Sequence, residues 1–312
     1  MKRLIFLIFL TTIAQLVLGQ NKPIQKDELL FEKGLLLQQL VSKDLELDDI
    51  INSKDSTKQE LATDIKETIL DKALEYYQEL IDSFPKSKLL FRTLNNKGFI
   101  ELALDNKVEA KKTFQKILDS KTDDKEKGGI GSGIMAEPYA NYKNRASKIL
   151  AKISIKDSNY SEAIKYLDLT KNYPYRHFCG NEYAADEIYM SELYAKSYLG
   201  INDTQKALKI LLPNILENGL ADNSDLVDLA YKTLLKDYQK DELKVKFEQA
   251  FKSYQTEKIK SKKEEYEKYY ITFFDTKIEL SSWLLDYLKP EEKQAEIHNI
   301  YINSRFYKLL NE

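Results

Sequence analysis

The chain has 312 residues, of which 43% are hydrophobic and 31% charged, and its formal net charge is −2 at pH 7. Charges of both signs without a basic stripe argue against a nucleic-acid-binding groove. The single cysteine, Cys179, excludes an intrachain disulfide, so stability has to come from helix packing.

The N-terminus has the pattern of a secretory signal peptide. Lys2 and Arg3 precede an apolar run over residues 4–10, and small residues follow up to Gly19. We expect residues 1–19 to be removed and the mature chain to be exported to the periplasm or secreted. An uncleaved anchor is the alternative, but threonines within the segment make it a poor membrane span. No transmembrane segment is expected in the mature chain.

Residues 20–54 are expected to be an N-terminal helical flank. Residues 27–41 carry apolar side chains at helical spacing, and residues 44–51 suggest a second, short helix. Residues 57–83 contain neither glycine nor proline, which predicts one long helix.

One pattern recurs four times between residues 55 and 218. In each copy an alanine is followed four residues later by an aromatic residue or leucine. Three copies have another small residue twelve positions before the alanine. The positions are Ala73/Tyr77, Ala110/Phe114, Ala163/Leu167 and Ala207/Leu211, with Gly98, Ala151 and Ala195 upstream. Small residues there let two helices approach closely, while the larger side chain fills the gap between them.

This pattern resembles the tetratricopeptide repeat (TPR), a helix–turn–helix unit that stacks into a solenoid. From residue 177 to 189 and in its C-terminal third, the chain also resembles uncharacterised exported bacterial proteins of this repeat class. The resemblance implies an all-α, tetratricopeptide-like solenoid of helical hairpins over residues 55–218. Such scaffolds bind proteins or peptides and rarely catalyse reactions. The resemblance therefore implies a binding role, but no particular partner.

Three of the four units divide into pairs of helices. The expected pairs are 94–103 with 108–118, 142–153 with 160–170, and 185–199 with 204–216. Each intervening turn carries Asp, Asn or Gly, which tolerate the backbone angles of a tight turn. Residues 219–312 should form a C-terminal helical cap. A small β-hairpin is expected at 270–280, where aromatic and β-branched residues alternate, and a last helix at 291–310.

Two segments lengthen the spacing between the repeats, residues 121–138 and residues 173–184. Both follow the second helix of a unit, and insertions at equivalent points emerge on one edge of a solenoid. We therefore predict a partner-binding surface there, because a mobile glycine cluster would adjoin tyrosine and arginine, which often anchor interfaces. Its candidate residues are Gly129, Gly131 and Met135 in the first segment, Tyr139 directly after it, and Tyr175, Arg176, His177 and Tyr183 in the second segment.

Two features of these segments could suggest other chemistry. His177 and Cys179 lie two residues apart with carboxylates downstream, but this spacing matches no closed zinc site. The glycine cluster lacks the Lys and the Ser or Thr that follow the last glycine of a phosphate-binding loop. We expect no metal, no cofactor and no catalytic residue. The simplest interpretation packs Phe178 and Cys179 into the core and turns Arg176 and His177 towards solvent.

The leading hypothesis is a non-enzymatic scaffold that binds a protein or peptide in the bacterial periplasm or outside the cell. One alternative is an inhibitor or immunity-type protein that binds a secreted effector. Another is a metal-dependent hydrolase that would use His177 and Cys179. The sequence leaves the partner and the oligomeric state open.

Export makes a direct prediction. The mature protein is expected to begin near Gln20 or Asn21 and to be recovered outside the cytoplasm. N-terminal sequencing of the native protein measures this. A cytosolic protein that keeps Met1 or Lys2 would contradict it.

Overall fold

The computed structural model describes residues 25–41, 45, 47–52, 54–127, 137–217, 219–260, 265–281 and 283–312. In these ranges the chain is mostly helical, with a small antiparallel sheet near the C-terminus. It divides into two compact units, Met1–Thr122 and Asp123–Glu312. The expected signal peptide and the candidates Gly129, Gly131 and Met135 lie outside the described residues. Within them, no helix combines the length and the apolar character needed to cross a bilayer.

The described part of the first unit is helical. Its helices are α1 (Lys26–Gln39), α2 (Leu47–Ile51), α3 (Ser56–Ser83), α4 (Leu90–Ala103) and α5 (Lys107–Leu118). The long helix predicted from the lack of glycine and proline is confirmed as α3. Asp55 caps its N-terminus, because the carboxylate accepts a hydrogen bond from the Lys58 backbone N–H at 3.3 Å. Helix α1 packs along α3, and α4 and α5 form a hairpin.

Tyr77 joins three helices of the first unit. Its ring is fully buried against Gly34 of α1, where an added Cβ would come within 2.5 Å of the ring. Its hydroxyl donates to Gln38 Oε1 and accepts from Asn96 Nδ2, both at 3.2 Å. Burial raises the pKa of Tyr77 to about 12. The repeat pattern identified Tyr77 but missed Gly34, because α2 and the first half of α3 separate it from Ala73.

The α4–α5 hairpin has the same kind of contact. A Cβ added to Gly98 would meet the Phe114 ring at 2.8 Å, and that ring is fully buried. Phe114 also meets the Phe99 ring edge-on, with centroids 5.5 Å apart. Gly98 therefore sets how closely α4 and α5 can approach.

The second unit begins with two hairpins in contact with one another. Their helices are α6 (Tyr142–Lys156), α7 (Tyr160–Leu169), α8 (Gly180–Gly200) and α9 (Thr204–Leu211). The small residues of the predicted pattern are fully buried here too, among them Ala151, Ala163 and Ala207. The predicted helix over 204–216 is too long. It ends at Leu211 and continues as a 3-10 turn, Leu212–Asn214, because Pro213 has no backbone N–H to donate.

The turns inside three hairpins have one geometry. Asp105, Ser158 and Asn202 take left-handed backbone conformations with φ of 54°, 58° and 60°. In each turn the next residue donates its N–H to a carbonyl five residues back. These bonds run from Asn106 to Glu101, from Asn159 to Ser154 and from Asp203 to Tyr198, at 2.7, 2.7 and 2.8 Å. This is the pattern of a Schellman turn, so three hairpins close in the same register.

The rest of the second unit is mixed. Its elements are α10 (Ser224–Leu234), α11 (Lys240–Lys252), β1 (Gln255–Lys260), β2 (Glu265–Phe273), β3 (Thr276–Glu279), a 3-10 turn (Trp283–Asp286), α12 (Pro290–Asn303) and α13 (Arg305–Asn311). The strands pair antiparallel in the order β1-β2-β3. The predicted hairpin is confirmed as β2–β3, but β1 was not predicted. The prediction of a single last helix is wrong, since Ser304, with ψ of 142°, separates α12 from α13.

Aromatic rings form the core of this C-terminal region. Phe247 lies at its centre, with four ring centroids 4.9–5.5 Å away. These belong to Phe251, Phe273, Tyr301 and Phe306. The same buried cluster includes Leu211 and Leu212, which end the last hairpin. Arg305 holds Asp228 through two hydrogen bonds of 2.6 and 2.8 Å and so ties α13 to α10. The aromatic core of the C-terminal region and the end of the last hairpin therefore share one buried cluster.

The Gly98–Phe114 contact leads to a stability prediction. Gly98→Ala should destabilise the fold by about 1–3 kcal/mol, because the new methyl group overlaps a ring that has no room to shift. An alanine free of this clash would instead add about 1 kcal/mol of helix propensity. The free energy of unfolding in urea measures the difference.

Ala163→Leu and Lys165→Leu are a matched pair for the same contact in α7. Ala163 is fully buried and Lys165 is exposed. The first should cost about 1–3 kcal/mol and the second less than about 0.5 kcal/mol. Equal unfolding midpoints for the two variants would contradict the proposed register.

Candidate partner-binding site

Two buried asparagines hold the irregular backbone of residues 173–179, which connects α7 to α8. The Asn141 side chain accepts a hydrogen bond from Arg176 N and donates one to Arg176 O, both at 3.0 Å. Asn144 Nδ2 donates to Tyr173 O at 2.7 Å. The asparagines are 1% and 2% exposed, so water does not compete for these bonds. The segment is therefore fixed although it has no regular secondary structure.

Asn141 also holds the backbone directly after the first predicted segment. Its side chain donates to Tyr139 O at 3.3 Å, and Tyr139 pairs with Lys127 in an isolated antiparallel bridge. Tyr139 and Arg176 thus meet at the side chain of Asn141.

The start of helix α6 is fixed by charged side chains of the same region. Asp124 accepts hydrogen bonds from the backbone N–H groups of Lys143 at 2.7 Å and Asn144 at 3.2 Å. A carboxylate is favoured there, because the first N–H groups of a helix lack partners and carry partial positive charge. Arg145 donates to Ala140 O at 2.8 Å and pairs with Glu137. These contacts stabilise the backbone on which Asn141 lies.

A buried lysine lies beneath Tyr175. Lys148 is 7% exposed, pairs with Asp186 of α8, and places its Nζ 4.7 Å from the centre of the Tyr175 ring. Burial lowers the pKa of Lys148, and Asp186 opposes that shift. The pKa of Tyr175 is raised, first by burial and then by the carboxylates Glu137, Glu182 and Asp186. Tyr175 therefore stays neutral and covers the ion pair.

The expected exposures at residues 177 and 178 are reversed. His177 is buried at 6% exposure, whereas the Phe178 ring is 61% exposed. Arg176 and Cys179 are half-buried. The main-chain groups of His177 find partners in the Tyr183 side chain. Its backbone N–H donates to the Tyr183 hydroxyl at 2.9 Å, and that hydroxyl donates to His177 O at 2.6 Å.

The imidazole of His177 has one satisfied nitrogen. Its Nδ1 accepts a hydrogen bond from the Cys179 backbone N–H at 3.0 Å, which places the proton of the neutral ring on Nε2. Nε2 is buried without a hydrogen-bond partner among the described residues. The ring lies between Phe178, with centroids 4.9 Å apart, and Tyr175, with centroids 6.1 Å apart.

His177 and Cys179 do not assemble a metal centre within the part of the chain that the structure describes. Nowhere in those ranges do three His, Cys, Asp or Glu side chains group as metal ligands. The Nδ1 of His177 is occupied by the backbone, and Asp186 is paired with Lys148.

The structure brings together most of the predicted candidates that it describes. Tyr175 and Tyr183 meet edge-on with centroids 5.9 Å apart, and Tyr183 is 45% exposed. Sequence reasoning missed the asparagines, Lys148 and the exposure of Phe178. A signal for Asn141 was present, because asparagine is favoured just before a helix and also tolerates the left-handed backbone that its φ of 50° requires.

The role of the Asn141 hydrogen bonds can be tested by substitution. Asn141→Gly should destabilise the fold by about 2 kcal/mol or more, since buried groups left unpaired cost about 1–3 kcal/mol each. Asn141→Ala should cost about 1 kcal/mol more, because alanine disfavours a φ of 50° and glycine does not. Urea denaturation followed by circular dichroism measures both. Asn172→Ala, at an exposed position, is the control. An Asn141 variant as stable as this control would show that the Asn141 hydrogen bonds do not stabilise the segment.

No protein-family model matches the chain, and a search of curated proteins gives no significant match. The contacts and exposures of the chain's own residues are therefore the basis for assigning a function.

Proposed function

We propose that the protein is a non-enzymatic scaffold that binds a protein or peptide in the periplasm or outside the cell. Its hairpins would act as tetratricopeptide-like units of a solenoid, and residues 173–179 would be the contact surface. The observation that carries the proposal is the rigid display of this segment. Buried asparagines fix its backbone while Phe178, Tyr183 and Arg176 reach the surface.

Rigidity matters for the affinity of such a surface. Ordering a flexible backbone costs about 1–2 kcal/mol per residue, which a partner would otherwise have to offset. The Asn141 and Asn144 hydrogen bonds already impose that order in the free protein. Aromatic rings and arginine on a fixed backbone are the side chains that most often dominate binding energies. These features favour a recognition surface over a connecting loop.

The polar groups of the region are engaged in holding its shape. Lys148 is paired and covered by Tyr175, and His177 Nδ1 holds the backbone at Cys179. Such engagements favour binding over catalysis. Export is supported by the charged start, the apolar run and the small residues of the first nineteen positions.

Photo-cross-linking in the cells that make the protein tests the proposal. A benzoyl-phenylalanine in place of Phe178 should give discrete adducts with a partner. Arg176→Ala should reduce them, since loss of an anchor weakens binding by about 2 kcal/mol. Tyr175 is a poorer site for substitution because it also covers Lys148. Several partners would indicate an assembly scaffold, and one at fixed stoichiometry an inhibitor.

The control places the same cross-linker at Tyr287, an aromatic residue 82% exposed in the same unit. It should give none of the adducts obtained at position 178. Identical adducts at both positions, or none at position 178, would contradict a binding surface at residues 173–179.

A further inference from the structure

The cations next to residues 173–179 differ in their partners, and Lys143 places its Nζ 5.0 Å from the centre of the Tyr173 ring. Arg145 pairs with Glu137, and Lys148 pairs with Asp186. The backbone of Arg176 is held by Asn141, but no described residue pairs with its guanidinium group. A half-buried arginine without a carboxylate is therefore part of the surface proposed above.

The remaining carboxylate near this surface has a local explanation. Glu182 lies in the first turn of α8, a helix of 21 residues. The N-terminus of a helix carries partial positive charge and favours an anion. Glu182 is thus accommodated without Arg176, and the guanidinium stays available to a partner.

The geometry of Arg176 suits a carboxylate. A guanidinium group is planar and presents parallel N–H donors, which match the two oxygens of a carboxylate better than a lysine ammonium does. Because Asn141 holds both the N–H and the C=O of this residue, the side chain starts from a fixed backbone. Less freedom is then lost when it binds.

Phe178 supplies an apolar contact two residues further along. Its exposed ring is stacked on buried His177, with centroids 4.9 Å apart and planes at 26°, which supports it from beneath. A large exposed aromatic side chain is a common anchor for an apolar residue of a partner.

We infer that residues 173–179 bind an acidic peptide segment, with a carboxylate on Arg176 and a neighbouring aliphatic or aromatic side chain on Phe178. This inference rests on the proposed function and names the chemistry of its partner. The carboxylate can belong to Asp or Glu within a chain or to a C-terminus, and both present the same group to the arginine.

Selection from a displayed library of random peptides with free C-termini tests the inference on the purified full chain. Selected peptides should be enriched in Asp, Glu or a C-terminal carboxylate beside an apolar residue. Synthetic copies are then measured by fluorescence anisotropy. Replacing the acid by its amide should weaken binding about tenfold, and so should Arg176→Gln. Glu-to-Gln exchange and C-terminal amidation distinguish the two sources of the carboxylate.

Combining the two changes separates a direct contact from an indirect effect. If the carboxylate meets Arg176, the amidated peptide should lose no further affinity on Arg176→Gln. Lys152→Ala is the matched control, because it removes one exposed positive charge of α6 and should leave affinity unchanged. Thermal unfolding checks that Arg176→Gln folds, as expected when Asn141 binds the backbone of residue 176 and not its side chain.

The possible results distinguish failure of this inference from failure of the proposed peptide-binding function. Peptides that bind without an acidic group, or equal losses for Arg176→Gln and Lys152→Ala, would overturn the inference and leave a peptide-binding function intact. Failure to retain any peptide would count against both the inference and peptide binding itself.

Discussion

The close approach of helix pairs is the constraint on which the described hairpins depend. In the first unit a glycine on one helix faces a fully buried ring on the other, Gly34 against Tyr77 and Gly98 against Phe114. Because glycine has no side chain, the ring can pack directly against the backbone of the facing helix, and this contact sets the distance between the two helices. In the second unit, fully buried alanines at the corresponding positions lie in apolar clusters with leucines. Turns that close in a common register keep these contacts aligned.

A rigid helical frame explains how an irregular segment can be ordered. Residues 173–179 have no ladder or helix of their own, so their backbone groups need partners from elsewhere. Asn141 and Asn144 provide them from the start of α6, which Asp124 in turn stabilises. Buried amides are costly unless they are fully paired, and a fully paired set specifies one conformation. The recognition surface proposed for this segment is a consequence of that pairing.

Much of the helical framework could be predicted because its signals are local. The spacing of small and large residues and the Asp, Asn and Gly turns predicted hairpins at 94–118, 142–170 and 185–216, of which the last was predicted to end too late. The role of Gly34 was not predicted, because its partner Tyr77 is distant in sequence and no fixed spacing links the two residues. Strand β1 was not predicted because its residues are almost all exposed. A strand with both faces in solvent shows no alternation of polar and apolar residues. The position of His177 was predicted wrongly because the sequence does not show the hydrogen bond that its buried Nδ1 accepts from the Cys179 N–H.

The bridge between Lys127 and Tyr139 has a consequence for how this chain can vary. It lies next to Asn141, which holds the backbone of both Tyr139 and Arg176. The entropy cost of closing a stretch of chain grows slowly with its length, by about 0.6 kcal/mol per doubling. A change in the number of residues between the two bridged positions should therefore alter the free energy of unfolding little. Variation in length at this point of the chain is compatible with an unchanged backbone at residues 173–179.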